Sequence, residues 1–437
     1  MRNKITGVVA SLVILAISWP VVADPGKPVA VRWWGQAFVT IETYWNLTVA
    51  IDPYATRIGY DDPGVTADVV LVTHDHADHN NVSLLGTDAK SVLGLDEAGD
   101  VVSIDMVLDR LPNQDEPTVT VFSLSAQYTD HAVRFRTIAS FHDDQSGNRR
   151  GKNAMFLVVA DGVRILHCGD LGQTKLTEDQ LRQIGNVDVL LIPVGGVYTI
   201  GGKQAVGIIE QLSPRYVVPI HYKTPQLSIV LRTNEEFLEA LPAKYERVTP
   251  PGNTFAAAQG RGASQESPQV VTLHTRPWTI PAELAELYER KDAVCRTSQA
   301  VFAKLSVNQM NHRPSNGTHT PRWNAEHMMG RELGFFSRVF SGVDSAIPHI
   351  NLNPEQQPPD YVAAHPDWDG NEEARQMQRV MSFTRRFAYL FDGFGLEAKP
   401  PGSWWTVRDL LEQMQRHYDE HTAHVKEKFE LPDWPDD

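Results

Sequence analysis

The stretch Val69-Val70-Leu71-Val72-Thr73-His74-Asp75-His76-Ala77-Asp78-His79 decides how this chain is read. Four consecutive apolar residues suit a strand buried on both faces, and the strand must end where the polar residues begin. Directly beyond it, three histidines and two carboxylates crowd into residues 73–79. In a tight turn after a strand, His74 and His76 can point to one side as paired imidazole ligands, while Asp78 and His79 point to a second position close by. Two adjacent metals follow. Histidine and carboxylate without thiolate suit zinc, with manganese or iron as alternatives, because a structural zinc site would normally bring cysteines.

Outward from this stretch, the first half alternates short apolar runs with Gly, Asp and Pro. Strands are expected at Val29 to Trp34, Phe38 to Ile41, Thr48 to Ile51, Val69 to Val72, Met155 to Val159, Val163 to His167, Val187 to Pro193 and Tyr216 to Ile220, with a helix at Ala205 to Leu212. This is an α/β pattern with antiparallel hairpins. Three later groups sit just past apolar segments: Phe141-His142-Asp143-Asp144, Leu166-His167-Cys168-Gly169-Asp170 and Pro219-Ile220-His221-Tyr222. With the first cluster they supply the ligands that two metals need: three imidazoles for one, Asp78, His79 and His221 for the other, and Asp170 to bridge.

Residues 29 to about 275 resemble the metallo-β-lactamase fold, in particular its UlaG-like branch of metal-dependent hydrolases. The resemblance rests on Trp34-Gly35-Gln36-Ala37, Ile51-Asp52-Pro53, Thr73 to His79, Phe141 to Asp144, Arg150-Gly151-Lys152-Asn153, His167 to Gly172, Pro193-Val194-Gly195-Gly196 with Thr199, and Pro219 to Lys223. It implies a four-layer αββα sandwich with the metals at one edge of two sheets. By it, His74, His76 and His142 hold one ion, Asp78, His79 and His221 the other, and Asp170 lies between them. Two cations acidify a shared water and polarise the carbonyl or phosphoryl oxygen under attack, so hydrolysis needs no protein nucleophile. Asp78 can also relay a proton, and Tyr222 can steady the developing oxyanion.

Composition excludes some classes. The chain has 437 residues and is 42% hydrophobic, which suggests two domains rather than one core. Arg2 and Lys4 precede an apolar run from Ile5 to Trp19, and Val21-Val22-Ala23 offers a cleavage site before Asp24, so an export signal over residues 1–23 is expected. An uncleaved anchor is the alternative, although the run is shorter than the roughly 20 residues that span a bilayer. Removing the two positive charges of Arg2 and Lys4 takes the formal charge from −14 to −16, which argues against nucleic acid as a partner. The one compact basic cluster, Arg149-Arg150-Gly151-Lys152, reads as a solvated loop or, alternatively, a contact for an anionic substrate. Cys168 and Cys295 fall in different domains and are not expected to pair.

Ala256 to Pro268, rich in Ala, Gly, Ser and Gln, reads as a hinge before a last strand Val270 to His274, and the domains are placed at 24–276 and 277–437. Beyond it, helices are expected at Pro281 to Leu305, Pro321 to Phe340, Asn371 to Phe391 and Thr406 to Lys428, which suggests a four-helix bundle. In the last of these, Val407, Leu410, Leu411, Met414, Tyr418 and Val425 form an apolar stripe that includes His417 and His421 one turn apart. With His327 from another helix they can share a metal, or can hydrogen-bond neighbours without one. The arrangement is similar to the DinB-like (YfiT-like) family of bundles with a three-histidine metal site, on the strength of residues 416–425.

The expectation is therefore a periplasmic or secreted metal-dependent hydrolase fused to a DinB-like bundle, acting through a hydroxide shared by two metals on a small ester, lactone or phosphodiester. Two divalent ions are expected in the first domain, and the bundle can hold a further one. The alternatives are a metal-dependent ligand-binding or sensor protein on a non-catalytic scaffold, and a phospholipase D-like phosphodiesterase acting on lipid head groups.

Overall fold

A computed structural model describes residues 26–86, 88–259, 267–356 and 360–436. The leader expected over residues 1–23, with its cleavage after Ala23, lies outside the described residues.

The first half contributes β1 (Val29–Gly35), β2 (Phe38–Glu42), β3 (Thr48–Ile51), β4 (Val69–Val72), β5 (Lys90–Leu93), β6 (Asp105–Asp109), β7 (Thr118–Val121), β8 (Val133–Phe141), β9 (Lys152–Ala160), β10 (Val163–His167), β11 (Val189–Pro193), β12 (Tyr216–Ile220), β13 (Glu246–Val248), β14 (Thr254–Ala257) and β15 (Gln269–Val271). They form two sheets, one of order β14-β1-β2-β3-β4-β5 and one of order β13-β15-β12-β11-β10-β9-β8-β6-β7. The sheets face each other across a core that includes Val31, Trp33, Ile41, Leu71, Phe135, Phe156, Leu190 and Val218. In the first sheet β3 runs parallel to β4, and in the second β10, β11 and β12 run parallel. Because β8 and β10 both pair antiparallel with β9, the carboxyl ends of β8, β10 and β12 reach one edge together. Open α/β sheets place ligands beyond the carboxyl ends of strands.

The two outer layers differ. Helices α1 (Glu178–Ile184), α2 (Gly202–Leu212) and α3 (Glu235–Ala240) bury Ile184, Ile208, Ile209 and Phe237 against the nine-stranded sheet. Over the six-stranded sheet, Trp34, Phe38, Ala50, Val70 and Val72 are instead covered near the ligand edge by Tyr54, Ile58 and Leu85 from short turns. At the far end of that sheet Ala30 and Ala256 join the core of the second domain.

That domain is built from α4 (Ala282–Phe302), a short α5 (Val307–Asn311), α6 (Pro321–Val343), α7 (Gly370–Arg386) and α8 (Val407–Lys428). Thr320, Asp369 and Thr406 cap α6, α7 and α8 by accepting the N–H groups of Trp323, Glu372 and Asp409, and Pro321 occupies a first-turn position where no N–H is needed. The helix expected to reach Phe391 stops at Arg386 and continues as a 3₁₀ turn, Ala388–Phe391, where Phe387 and Phe391 pack edge-on against Phe340 and Phe383 packs tilted beside them. Both cysteines are buried and free.

Other expectations shift in their bounds. The hinge read from Ala256 to Pro268 begins inside β14, which pairs with β1 from Val29↔Ala257 to Arg32↔Thr254. Its alanines have low strand propensity and are used because the bundle approaches closely there. The strand expected at Val270 to His274 is Gln269–Val271. The expectation lacked β8, where Arg134 and Arg136 alternate with buried Val133 and Phe135.

Candidate metal centres

At the strand-end edge, β4 delivers His74, His76, Asp78 and His79, β8 delivers His142, β10 leads to Asp170, and β12 leads to His221. Asp170 is nearly fully buried, and its two oxygens face different groups. His142 Nε2 lies 3.1 Å and His74 Nε2 3.8 Å from Oδ2, while His221 Nε2 at 3.1 Å and His79 Nε2 at 3.2 Å approach Oδ1. His76 Nδ1 lies 3.0 Å from His74 Nε2, and Asp78 Oδ2 lies 3.6 Å from His79 Nε2. Two clusters result, His74, His76, His142 with Asp170, and Asp78, His79 with His221. His76 alone of the first cluster is exposed, so the edge opens to solvent on its side.

The surrounding residues fix which nitrogen of each ring faces inward. Thr73 Oγ1 donates to Asp52 Oδ2 at 2.7 Å, so its lone pair is left to accept His74 Nδ1–H at 3.0 Å, and His74 Nε2 stays unprotonated. His79 Nδ1 donates to the same Asp52 oxygen at 2.9 Å, which turns its Nε2 toward Asp170. Gln36 Nε2 donates to Asp78 Oδ2 at 2.8 Å, and Asn153 Oδ1 accepts the Asp170 N–H at 3.0 Å. Gly169 supplies the left-handed backbone, φ +53°, that turns Asp170 inward, and any side chain there would collide with Asn153.

These residues fit divalent cations. His79 Nε2 and His221 Nε2 are buried and make no hydrogen bond, which in a protein interior calls for a partner. His74 Nε2 and His76 Nδ1 face each other 3.0 Å apart, close enough for one cation to take both. Burial and then the neighbouring His79 hold His74 well below its ordinary pKa. Burial opposes charge on Asp170, but the His221 and His79 imidazoles outweigh it and keep the carboxyl well below its usual range. His74 is thus presented neutral and Asp170 ionised, whereas against burial Asp170 and Asp52 hold His79 well above its ordinary pKa, so an ion binding there would displace a proton.

In the bundle, His327 of α6 and His417 and His421 of α8 bring their nitrogens within 4.8 Å of one another. His327 is buried on α6, and His417 and His421 are half-buried at the edge of the α8 stripe rather than in its centre. Asn324 Oδ1 accepts His421 Nδ1–H at 2.8 Å, leaving Nε2 for a ligand, and His417 Nε2 and His327 Nδ1 are buried without a hydrogen bond. Burial, reinforced by positive neighbours, pushes His327 and His417 down to about 4 and His421 to about 3. Such rings are neutral donors across the neutral range.

The structure brings together all seven residues named for the first domain and all three named for the second. Tyr222 follows His221 directly, with its ring stacked on Trp33 at 5.0 Å and almost fully buried. His167, in the same strand-end motif as Asp170, is no ligand: Nε2 donates to Ala37 O at 2.9 Å and Nδ1 accepts from Gly169 N at 3.1 Å. Asp52, Gln36 and Asn153 had been assigned no role from sequence. The signal was a lone buried-type Asp between Ile51 and Pro53, which says nothing of its partners until β3 and β4 lie side by side.

The beta-lactamase superfamily domain matches residues 30–221, and the DinB superfamily matches residues 292–425. A metal-dependent hydrolase of Anaeromyxobacter sp. (strain K) is 30% identical over 240 residues, 52% of this chain and 86% of that protein. One from Archaeoglobus fulgidus is 30% identical over 223 residues, covering 49% and 91%. A solved Zn-dependent hydrolase of Thermotoga maritima, of the metallo-beta-lactamase superfamily, is 29% identical, with a TM-score of 0.38 over 56% of this chain and 99% of that one. With its buried His and Asp cluster at the strand ends, the chain belongs to the UPF0173 metal-dependent hydrolases, a metallo-β-lactamase family, and carries a DinB-superfamily domain after it.

Proposed function

We propose that the strand-end edge is a dinuclear hydrolytic centre, with His74, His76 and His142 holding one divalent ion, Asp78, His79 and His221 the other, and Asp170 shared. The observation that carries this reading is the division of Asp170, one oxygen toward each histidine group. Zinc suits these donors best, with manganese or iron as alternatives, and two such ions would supply hydroxide near neutral pH and polarise the bond under attack. The chain's own residues do the rest. Asp78, a fifth exposed and anchored by Gln36, takes up the proton of the reaction. Tyr222, one residue past His221, steadies the developing oxyanion. Substrate enters on the open side marked by His76, past a rim where exposed Tyr198 lies under the Arg150 guanidinium, 5.6 Å away, and Arg150 donates to Val197 O. Val197 holds φ +65°, a strained angle for a branched residue, and such strain clusters at functional loops. The substrate is a small ester, lactone or phosphodiester. The protein is exported by its leader, and the histidines of the bundle hold a third ion.

Elemental mass spectrometry of protein purified without chelators, paired with turnover of model esters and phosphodiesters, tests this. About two equivalents of metal should be lost, with all turnover, in Asp170→Ala and His221→Ala, and a third in His417→Ala alone. Turnover that survives Asp170→Ala would put the chemistry elsewhere, and a protein that binds the metals but turns over no substrate would favour the binding-protein alternative.

A further inference from the structure

Where the two domains meet, far from the metal edge, the β2–β3 turn faces one side of α7 across a cleft. It is lined by Trp45, Arg110, His131, Arg375, Gln376 and Arg379 among others, and encloses about 60 Å³. A single water needs about 10–15 Å³ by the same measure, so the space suits a compact ion and excludes a nucleotide.

Three buried donors in this cleft have no hydrogen-bond partner: Trp45 Nε1, Arg110 Nε and Arg379 Nη1. Arg379 is only 6% exposed, and its Nε is already committed to Gln376 Oε1 at 2.6 Å. Its guanidinium is stacked 4.4 Å from the Tyr44 ring and 4.8 Å from the Trp45 ring, which fixes where its remaining N–H groups point. Arg110 reaches one carboxylate, Asp68, and only at 3.8 Å. The acid in the cleft, Glu372, is occupied elsewhere: it accepts from the Asn113 N–H, Gln376 and Arg375. His131, held below its ordinary pKa by burial, adds no positive charge of its own at neutral pH. Buried donors left unpaired are costly, and three of them in one cleft, two on guanidinium groups, call for an acceptor carrying negative charge.

We propose that this interdomain cleft binds a compact oxyanion, a phosphate or a carboxylate, which accepts from Trp45, Arg110 and Arg379 and ties the sandwich to the bundle. The site is independent of the metal edge, since the β2–β3 turn lies at the opposite ends of the strands from His74 and Asp170.

Isothermal titration calorimetry of the full-length, metal-loaded protein with inorganic phosphate, and in parallel with acetate, tests the proposal and tells the two oxyanions apart. Because phosphate also binds exposed metal ions, Asp170→Asn is titrated alongside. The expected result is saturable binding that persists in Asp170→Asn and weakens by about tenfold or more in Arg379→Gln and in Trp45→Phe. Trp45→Phe keeps the aromatic surface and removes only the N–H, so the test stands if Arg379→Gln fails to fold. Hydrogen exchange should slow on anion binding at residues 43–47 and 372–379. Binding that vanishes in Asp170→Asn and is intact in Trp45→Phe would assign the anion to the metal edge and overturn the proposal. So would no saturable binding of either anion at millimolar concentration.

Discussion

Asp52 holds three hydrogen bonds from a left-handed backbone, φ +55°, which aspartate tolerates better than most residues. One oxygen accepts the Thr73 N–H at 2.8 Å, and the other accepts Thr73 Oγ1 and His79 Nδ1. Asp52→Asn keeps the size but puts an amide N–H where two donors already point, so His79 must change tautomer or turn. Metal affinity should fall about 10–100-fold, with circular dichroism unchanged; unaltered metal content at low free metal would show that Asp52 does not orient the ring. Asp161 makes a different point. From the β9–β10 turn it accepts the Tyr44 N–H of the β2–β3 turn at 2.7 Å, while its other oxygen has no partner. Burial pushes its carboxyl up to about 6 against the pull of Tyr44 N–H and Lys27. The folded state therefore holds this proton more tightly than the unfolded chain does. The resulting penalty is absent below about pH 4, grows as pH rises, and is complete above about pH 6. Asp161→Asn removes the penalty and suits the positive φ of the turn. Allowing for partial exposure, it should add about 1–2 kcal/mol near pH 7 and nothing near pH 4. Melting curves at the two pH values check this, and equal gains at both would rule out ionisation as the cause.

At the scale of elements, the turn after β4 places four candidate ligands because one strand end can aim side chains to two sides only if the backbone closes on itself at once. His79 N and Asn80 N both return to His76 O, which makes that closure. The loop after β10 must then come close: a side chain at Gly172 would stand 2.3 Å from the backbone of His142 and Asp143. In the bundle, four helices enclose a buried charge within their apolar core. Lys291 of α4 and Glu332 of α6 are fully buried and paired, Tyr418 of α8 donates to Glu332 Oε2 at 2.6 Å, and Thr384 of α7 bonds Glu332 Oε1 at 3.1 Å. Asp292 also lies 2.8 Å from Lys291 Nζ, so Glu332→Ala leaves the buried ammonium one carboxylate instead of two and should destabilise the bundle by about 3 kcal/mol. Lys291→Met combined with Glu332→Leu should restore much of that loss. Chemical denaturation separates the two, and a double variant as weak as the single one would mean that shape rather than charge is at stake.

For the whole molecule, the bundle takes the place of an outer layer over one end of the six-stranded sheet, and Arg386 is its main polar tie. From α7 it donates to Glu42 Oε2 at 2.8 Å, Thr43 O at 2.6 Å and Asn46 Oδ1 at 2.8 Å, and it is nearly fully buried. Arg386→Ala leaves Glu42 its bond to Arg32 but frees the β2–β3 turn. Unfolding should then split into two transitions, and the loss should be about 2–4 kcal/mol in the less stable one; a single unshifted transition would show that Arg386 does not hold the domains together. Among the described residues no helix is long and apolar enough to cross a membrane. The division of labour between sequence and structure has a physical basis. The residues that cluster at the strand ends, the strand ends themselves and the α8 stripe were legible from sequence because metal chemistry selects residue types and because periods of 2 and 3.6 are local. The pairing of Thr254–Ala257 with β1 was not, since alanines read as a hinge until the bundle presses on them. The tertiary structure alone decided that Asp52 and Gln36 orient the ligands, that His167 is spent on backbone bonds, that the bundle docks away from the metal edge, and that unpaired donors from both domains meet in one cleft. Each depends on groups far apart in the chain, and burial gives such contacts their energy only after the chain has folded.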